Sequence, residues 1–342
     1  MRRLKCLIFG LGQVGQKVAA ALLSEGADIV GAYSRASQLG VDLGTAVGVA
    51  PAGIKVQAVN DFHPVAGTAD IALFFTTSHL GDLRNEGKAC LEAGINVLTI
   101  AEDALFPWPF DPETAHALDA AAKAGGVSLV ATGVNDVVMA HLPACLAALT
   151  HGVRAITVET VGDFGKFGAR TLEGMPLGLT PAQFAAAEPD EQGPITAQVV
   201  AGLAALCGLT AKEMEVEVEP ILAGVDLYVS QLDREITQGC VCGLREIARL
   251  ETAEGVRLQV ELIGKIFEPN DTEHLHARVE ADETLDMRVA PLPGVAVTAG
   301  IALSRIADTL AAPPGFVTFD RLPNAKFNRL AVREIEARTA VA

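Results

Sequence analysis

The stretch Phe9-Gly10-Leu11-Gly12-Gln13-Val14-Gly15 limits the fold of this chain more than any other, because an apolar run over residues 4–9 leads into it and a helical pattern over 16–23 leads out. A strand that turns into a helix across three spaced glycines has the geometry of a nucleotide loop. Gly10 permits the tight turn, Gly12 lets backbone N–H groups approach a pyrophosphate, and Gly15 lets the helix lie close on the strand. The anion then rests on the positive end of the helix. A glycine-rich turn that binds nothing can have the same spacing, so it is the strand–glycine–helix order that points to a dinucleotide, with Leu11, Gln13 and Val14 completing the loop. Met1-Arg2-Arg3 before apolar residues also has the look of a signal peptide. The apolar run is short, however, and its glycines suit a turn better than a cleavage site.

Further apolar runs at 28–32, 71–75, 96–100 and 127–131 alternate with helical segments. This is the rhythm of strands joined by helical crossovers in a parallel sheet. One helix is clearly signalled, with Asp111 as N-cap, Pro112 at the first helical position, Glu113 in the first turn, and Gly125-Gly126 after the alanine-rich run 117–124. From Val153 onward the pattern changes: 155–161, 215–223, 256–266 and 275–281 read as strands with fewer helices between them, which predicts an open, largely antiparallel sheet. Helices are expected at 195–207 and 297–310, the latter with Leu303, Ile306 and Leu310 on one buried face.

The chain has 342 residues, half of them apolar and one fifth charged, enough for two domains with real cores. A formal charge of −16 disfavours nucleic acid and anionic membrane surfaces, both of which need a basic face. No apolar stretch is expected to span a membrane, so a soluble, cytoplasmic protein is anticipated. Of the six cysteines, Cys6, Cys90, Cys145, Cys207, Cys240 and Cys242, only the last two are closely spaced. One such pair is weak ground for a metal, and no metal site is expected.

At the end of the second strand, Gly31-Ala32-Tyr33-Ser34-Arg35-Ala36, there is no carboxylate to accept the ribose hydroxyls of NAD. Arg35 can instead fork onto a 2′-phosphate, with Ser34 beside it, which predicts NADP(H) as the preferred cofactor with NAD(H) tolerated. Ligands of such sheets gather outside the carboxyl ends of the strands, where three polar clusters fall. These are Thr76-Thr77-Ser78-His79, Ala101-Glu102-Asp103, and Thr132-Gly133-Val134-Asn135-Asp136. The hydroxyls of Thr76, Thr77 and Ser78, the backbone at Ala101 and the amide of Asn135 are candidate cofactor contacts. Glu102 is the candidate catalytic group: a carboxylate partly desolvated near the nicotinamide would hold an ammonium or iminium and accept a proton. Asp103 suits the cap of the short turn towards Leu105. Phe106, Trp108, Met139, His141, Phe164 and Phe167 are the candidate lining of a mostly apolar substrate pocket.

These residues together resemble the 2,4-diaminopentanoate dehydrogenases and native amine dehydrogenases, distant relatives of dihydrodipicolinate reductase. The likeness rests on the glycine motif, on Asn96-Val97-Leu98-Thr99-Ile100-Ala101-Glu102-Asp103, on Thr132-Gly133-Val134-Asn135, on Leu179-Thr180-Pro181-Ala182-Gln183-Phe184, and on Pro314-Gly315-Phe316-Val317-Thr318-Phe319-Asp320-Arg321-Leu322-Pro323. The resemblance implies an α/β protein with a Rossmann domain at 1–135, a second α+β domain built on an open mixed sheet at 136–310, and a C-terminal segment, 311–342, returning to the first. The second domain is expected to cover the nicotinamide and to form a homodimer. The resemblance further implies reversible reductive amination of a small ketone or aldehyde with ammonia, with Glu102 activating the amine. An imine or carbonyl reductase, or an NADPH-binding sensor without catalysis, are the alternatives. One departure is clear: where the family continues Gly-Val-Asn with Pro-Gly, this chain has Asp136-Val137-Val138.

Overall fold

The computed structural model describes residues 2–76, 79–187 and 194–327, with the backbone of Glu334 and Ile335. The chain divides into two compact units, one made of residues 1–133 and 296–342, the other of residues 134–295.

The first unit is a parallel sheet. Its strands are β1 (Lys5–Phe9), β2 (Asp28–Ser34), β3 (Val56–Ala58), β4 (Ile71–Phe74), β5 (Asn96–Thr99) and β6 (Ser128–Ala131). In space the order is β3-β2-β1-β4-β5-β6, closed at the far edge by the short strand Gly315–Phe316, parallel to β6. The order reverses between β1 and β4, the switch point of a Rossmann sheet. β1, β4, β5 and β6 are buried along nearly their whole length, as strands covered on both faces must be, and are apolar apart from Lys5, Asn96, Thr99 and Ser128. Helix α1 (Gln13–Glu25) follows β1 and ends on Gly26 in the left-handed region. Helix α2 (Glu86–Glu92) precedes β5, and α3 (Pro112–Gly125) precedes β6 with Asp111 as its N-cap accepting from the Thr114 amide. Asp119 on α3 accepts the Phe316 amide at 2.9 Å, which fixes the returning C-terminal strand.

The second unit is built on a mixed sheet. It opens with the apolar helix α4 (Val134–Ala147), which contains one π turn over Val137–His141, and continues with β7 (Ala155–Asp163). Helix α5 (Ile195–Leu206) leads to β8 (Ala211–Leu222), and a small hairpin, β9 (Leu227–Val229) with β10 (Arg234–Ile236), follows. The long strands β11 (Val241–Thr252) and β12 (Arg257–Lys265), then β13 (His274–Glu280) and β14 (Leu285–Val289), complete it. The order is β14-β13-β7-β12-β11-β8, antiparallel throughout except for the central parallel pair β7 and β12. Helix α5 is buried almost all round and packs on β11 and β12, leaving the other face of the sheet to charged side chains. There Arg245 bridges Glu219 and Glu261 across three strands.

Two expectations change here. Helix α6 (Gly294–Ala311), placed in the second domain by a boundary at 310, packs Ala299, Ala302 and Ile306 into the core of the first unit beside Leu4, Val18 and Leu22, so the second unit ends at 295. The same helix is also long and apolar enough to cross a membrane by length and composition, although no such span was expected. Its inner face nonetheless carries a fully buried Arg305, paired with Asp308 at 2.8 Å and donating to the Pro323 carbonyl.

Candidate active site

The glycine loop is built as its spacing requires. Gly10 has φ +92°, and a side chain there would strike the Phe75 backbone at 2.7 Å; its own N–H donates to Tyr33 at the end of β2. A Cβ on Gly15 would lie 2.0 Å from the Gly10 carbonyl oxygen, so α1 can pack this close only with glycine at that position. Gly12 differs: a Cβ there would meet nothing within 4 Å. It is the N-cap of α1 and makes no side-chain cap, and the first turn holds no acidic residue. Gln16 steadies the loop by donating its amide to the Leu11 carbonyl at 2.8 Å. An open approach to uncapped first-turn amides on a thirteen-residue helix fits a pyrophosphate. Leu11 is buried, while Gln13 and Val14 begin the helix.

The carboxyl ends of β1, β4, β5 and β6 lie side by side in this unit. Phe75 donates its amide to Phe9, Ile100 to Phe74 and Thr132 to Thr99, so the three polar clusters begin on one edge. Thr76 sits against the glycine turn, with its methyl 3.0 Å from the position a Gly10 Cβ would take. Thr77 and Ser78 lie outside the described residues. Ser34 is buried at the end of β2 and shares a hydrogen bond with Ser37 at 3.0 Å. Arg35 is half-exposed and pairs with Asp82 at 3.2 Å.

After β5, Ala101 is buried with its amide on Thr99 Oγ1, and Glu102 and Asp103 open a short 3-10 turn. Their roles divide differently from expectation. Glu102 is exposed, and Asp103 is the partly desolvated carboxylate. Asp103 accepts the Leu80 amide and faces His79 at 3.7 Å, tying the segment after β4 to the segment after β5. Burial, reinforced by the neighbouring Glu102 charge, pushes the Asp103 carboxyl up to about 6, against the pull of the Leu80 amide and His79.

The aromatic candidates are mostly spent on packing. Trp108 donates its Nε1–H to Thr318 Oγ1 at 3.3 Å and packs its ring against Phe316, clamping the C-terminal strand. Phe106 lies near Phe319. In the second unit, Phe164 is buried and stacks with Phe167 in a core that includes Leu172, Leu177, Ile236 and Cys242. A Cβ on Gly264 would sit 1.8 Å from the Phe164 ring, so the two positions specify each other. Met139 and His141 are buried in the π turn of α4, and Asn135 and Asp136 are buried in the turn before it.

Residues 137–337 match the model of the 2,4-diaminopentanoate dehydrogenase C-terminal domain. The chain belongs to the 2,4-diaminopentanoate dehydrogenase family. It is 30% identical over 190 residues to the 2,4-diaminopentanoate dehydrogenase of Acetoanaerobium sticklandii, an alignment covering 54% of this chain and 53% of that protein. The chain therefore spans about half the length of that curated relative. Among solved structures, an amine dehydrogenase from Mycobacterium smegmatis superposes with a TM-score of 0.88 at 29% identity, over 95% of this chain and 98% of that one. A UDP-N-acetylglucosamine 3-dehydrogenase from Acidithiobacillus ferrooxidans shares the fold alone, with a TM-score of 0.52 at 12% identity over 97% and 94% of the two chains. Asp82, the partner of Arg35, was not legible in the sequence, because the two are separated by 47 positions and no motif links them.

Proposed function

We propose that this member of the 2,4-diaminopentanoate dehydrogenase family is an amine dehydrogenase using NADP(H), with NAD(H) accepted. It would convert a small ketone or aldehyde, ammonium and a reduced nicotinamide to an amine, water and the oxidised cofactor, and run in reverse as oxidative deamination. The observation that carries the reading is Glu102, an exposed carboxylate at the end of a buried apolar strand, on the edge where the glycine loop also lies. When bound, the cofactor supplies or takes up hydride at the reacting carbon.

The protein's part is to bind, orient and move protons. The backbone from Gly10 to Gly15 receives the pyrophosphate, and Ser34 with Arg35 receives the adenosine ribose and its 2′-phosphate. Thr76 and the backbone at Ala101 border the strand ends. Glu102 attracts ammonium to the site and takes the proton that ammonium must lose before its nitrogen can attack the carbonyl carbon. It then returns a proton as the hydroxyl departs as water, and its charge favours the resulting iminium. The same reading includes a homodimer in the cytoplasm.

The test follows NADPH absorbance with small ketones and aldehydes, each with and without concentrated ammonium. Oxidation that requires ammonium, and that falls by about 10²–10⁴-fold in Glu102→Gln while dinucleotide binding persists, supports the reading. Equal oxidation without ammonium replaces it with a carbonyl reductase, and binding without any turnover leaves a sensor.

A further inference from the structure

The Arg35–Asp82 pair has an unusual position for a surface ion pair. Arg35 follows β2 and Asp82 follows β4, and β1 with its glycine loop runs between those strands. The pair therefore bridges the edge along which the adenosine half of a dinucleotide lies in this fold. The end of β2 lacks the carboxylate that an NAD site usually places there, and Asp82 brings one from the opposite side.

Asp82 is also held in place. It sits in a 3-10 turn, Leu80–Arg84, whose Leu80 and Leu83 are buried. At one end Asp103 accepts the Leu80 amide, and at the other the Arg84 Nε–H donates to Thr114 Oγ1 at 3.0 Å. The turn is thus fixed to two neighbouring elements, and its carboxylate stays near Arg35 when a ligand arrives.

We propose that Asp82 sets the balance between the two nicotinamide dinucleotides by holding Arg35 in competition with a 2′-phosphate. The inference rests on the reading of Ser34 and Arg35 as the ribose 2′ site. A 2′-phosphate must displace the Asp82 carboxylate from the guanidinium and then remain beside its negative charge. A ribose bearing only a 2′-hydroxyl meets no such repulsion. The pair is solvent-exposed on both sides, so it weakens phosphate binding without abolishing it, and the protein accepts both cofactors.

The test is equilibrium binding of NADPH and NADH, by fluorescence titration or calorimetry, to the native chain, Asp82→Asn, Arg35→Ala and the double variant. Asp82→Asn is expected to tighten NADPH about fivefold, the upper range for an exposed pair, with no tightening of NADH. Arg35→Ala is expected to weaken NADPH about tenfold or more and NADH little, and adding Asp82→Asn to it should tighten NADPH by less than the same change does in the native chain, because only the direct charge repulsion is then left to remove. Both responses should shrink as salt is raised to about 1 M. If Arg35→Ala weakens NADPH but Asp82→Asn leaves the NADPH-to-NADH ratio unchanged, the Asp82 proposal is overturned and the phosphate site stands. If Arg35→Ala leaves NADPH binding unchanged, the phosphate site fails and takes the proposal with it. Thermal unfolding of each variant shows whether a lost response reflects a lost fold.

Discussion

Changing Gly12 and Gly15 separately to alanine divides what the loop does for the fold from what it does for a ligand. At Gly12 an added methyl meets nothing within 4 Å, and its backbone (φ −72°, ψ −171°) is open to any residue. The loss of a good N-cap residue and the gain from a stiffer unfolded chain are each under about 1 kcal/mol and opposite in sign, so stability should move by no more than about 0.5 kcal/mol. At Gly15 the methyl would lie 2.0 Å from the Gly10 carbonyl oxygen, which is backbone and cannot rotate away. Overpacking of that kind costs about 3 kcal/mol, or roughly 6–12 °C in Tm for a unit of this size. Binding should show the opposite pattern of cause. Alanine at position 12 fills the approach to the first-turn amides and should weaken NADPH by about 10–100-fold in a protein that melts normally. Urea and thermal unfolding, followed by titration with NADPH, report both quantities on one preparation. Undiminished NADPH binding by Gly12→Ala would refute the placement of the pyrophosphate, and melting as low as Gly15→Ala would make the open space at Gly12 structural.

Other outcomes follow from the same geometry. The Asp103 carboxyl, raised to about 6, gives the fold stability that is complete below the ordinary carboxylate range and is lost as pH rises through about 6. Asp103→Asn keeps an acceptor for the Leu80 amide, so it should flatten the pH dependence of unfolding between about pH 4 and 7, gaining on the order of 1–3 kcal/mol relative to the native chain at the upper end. A native chain whose stability is level across that range would contradict this. Gly264→Ala should destabilise the second unit by about 1–3 kcal/mol through the Phe164 ring, and a smaller side chain at position 164 should recover part of the loss in a double-variant unfolding cycle. Trp108→Phe removes the donor to Thr318 while keeping most of the ring packing, and should cost about 1 kcal/mol in urea unfolding.

Much of the first unit was readable because its signals are local. Buried parallel strands are rich in apolar residues, and a glycine at φ +92° or in backbone contact admits no substitute, so β1, β4, β5, β6 and the loop stand out. Strand β11 was missed for the converse reason. Arg245 and Arg249 interrupt its apolar pattern, and they belong in a strand only because Glu219, Glu261 and Glu217 face them from its neighbours, which is knowledge of register and not of sequence. The two-residue strand Gly315–Phe316 is too short to show a period, and Asp119 and Trp108 hold it from far along the chain. Within the site, Glu102 is picked out as a candidate by its place after an apolar run. The bond from Leu80 to Asp103 and the pairing of Arg35 with Asp82 join segments that carry no common motif. Phe164 and Phe167 have the composition of a pocket and the surroundings of a core, a distinction that depends on which residues converge on them.

The most direct test of the amine chemistry is to supply ¹⁵N-ammonium with NADPH and a carbonyl compound that supports turnover, and to analyse the product by mass spectrometry for the native chain and for Glu102→Gln. The predicted result is one ¹⁵N-labelled amine formed per NADPH oxidised, with formation falling by about 10²–10⁴-fold in Glu102→Gln at unchanged NADPH affinity. An unlabelled alcohol formed in step with NADPH oxidation, or labelled amine formed equally well without the Glu102 carboxylate, would contradict it.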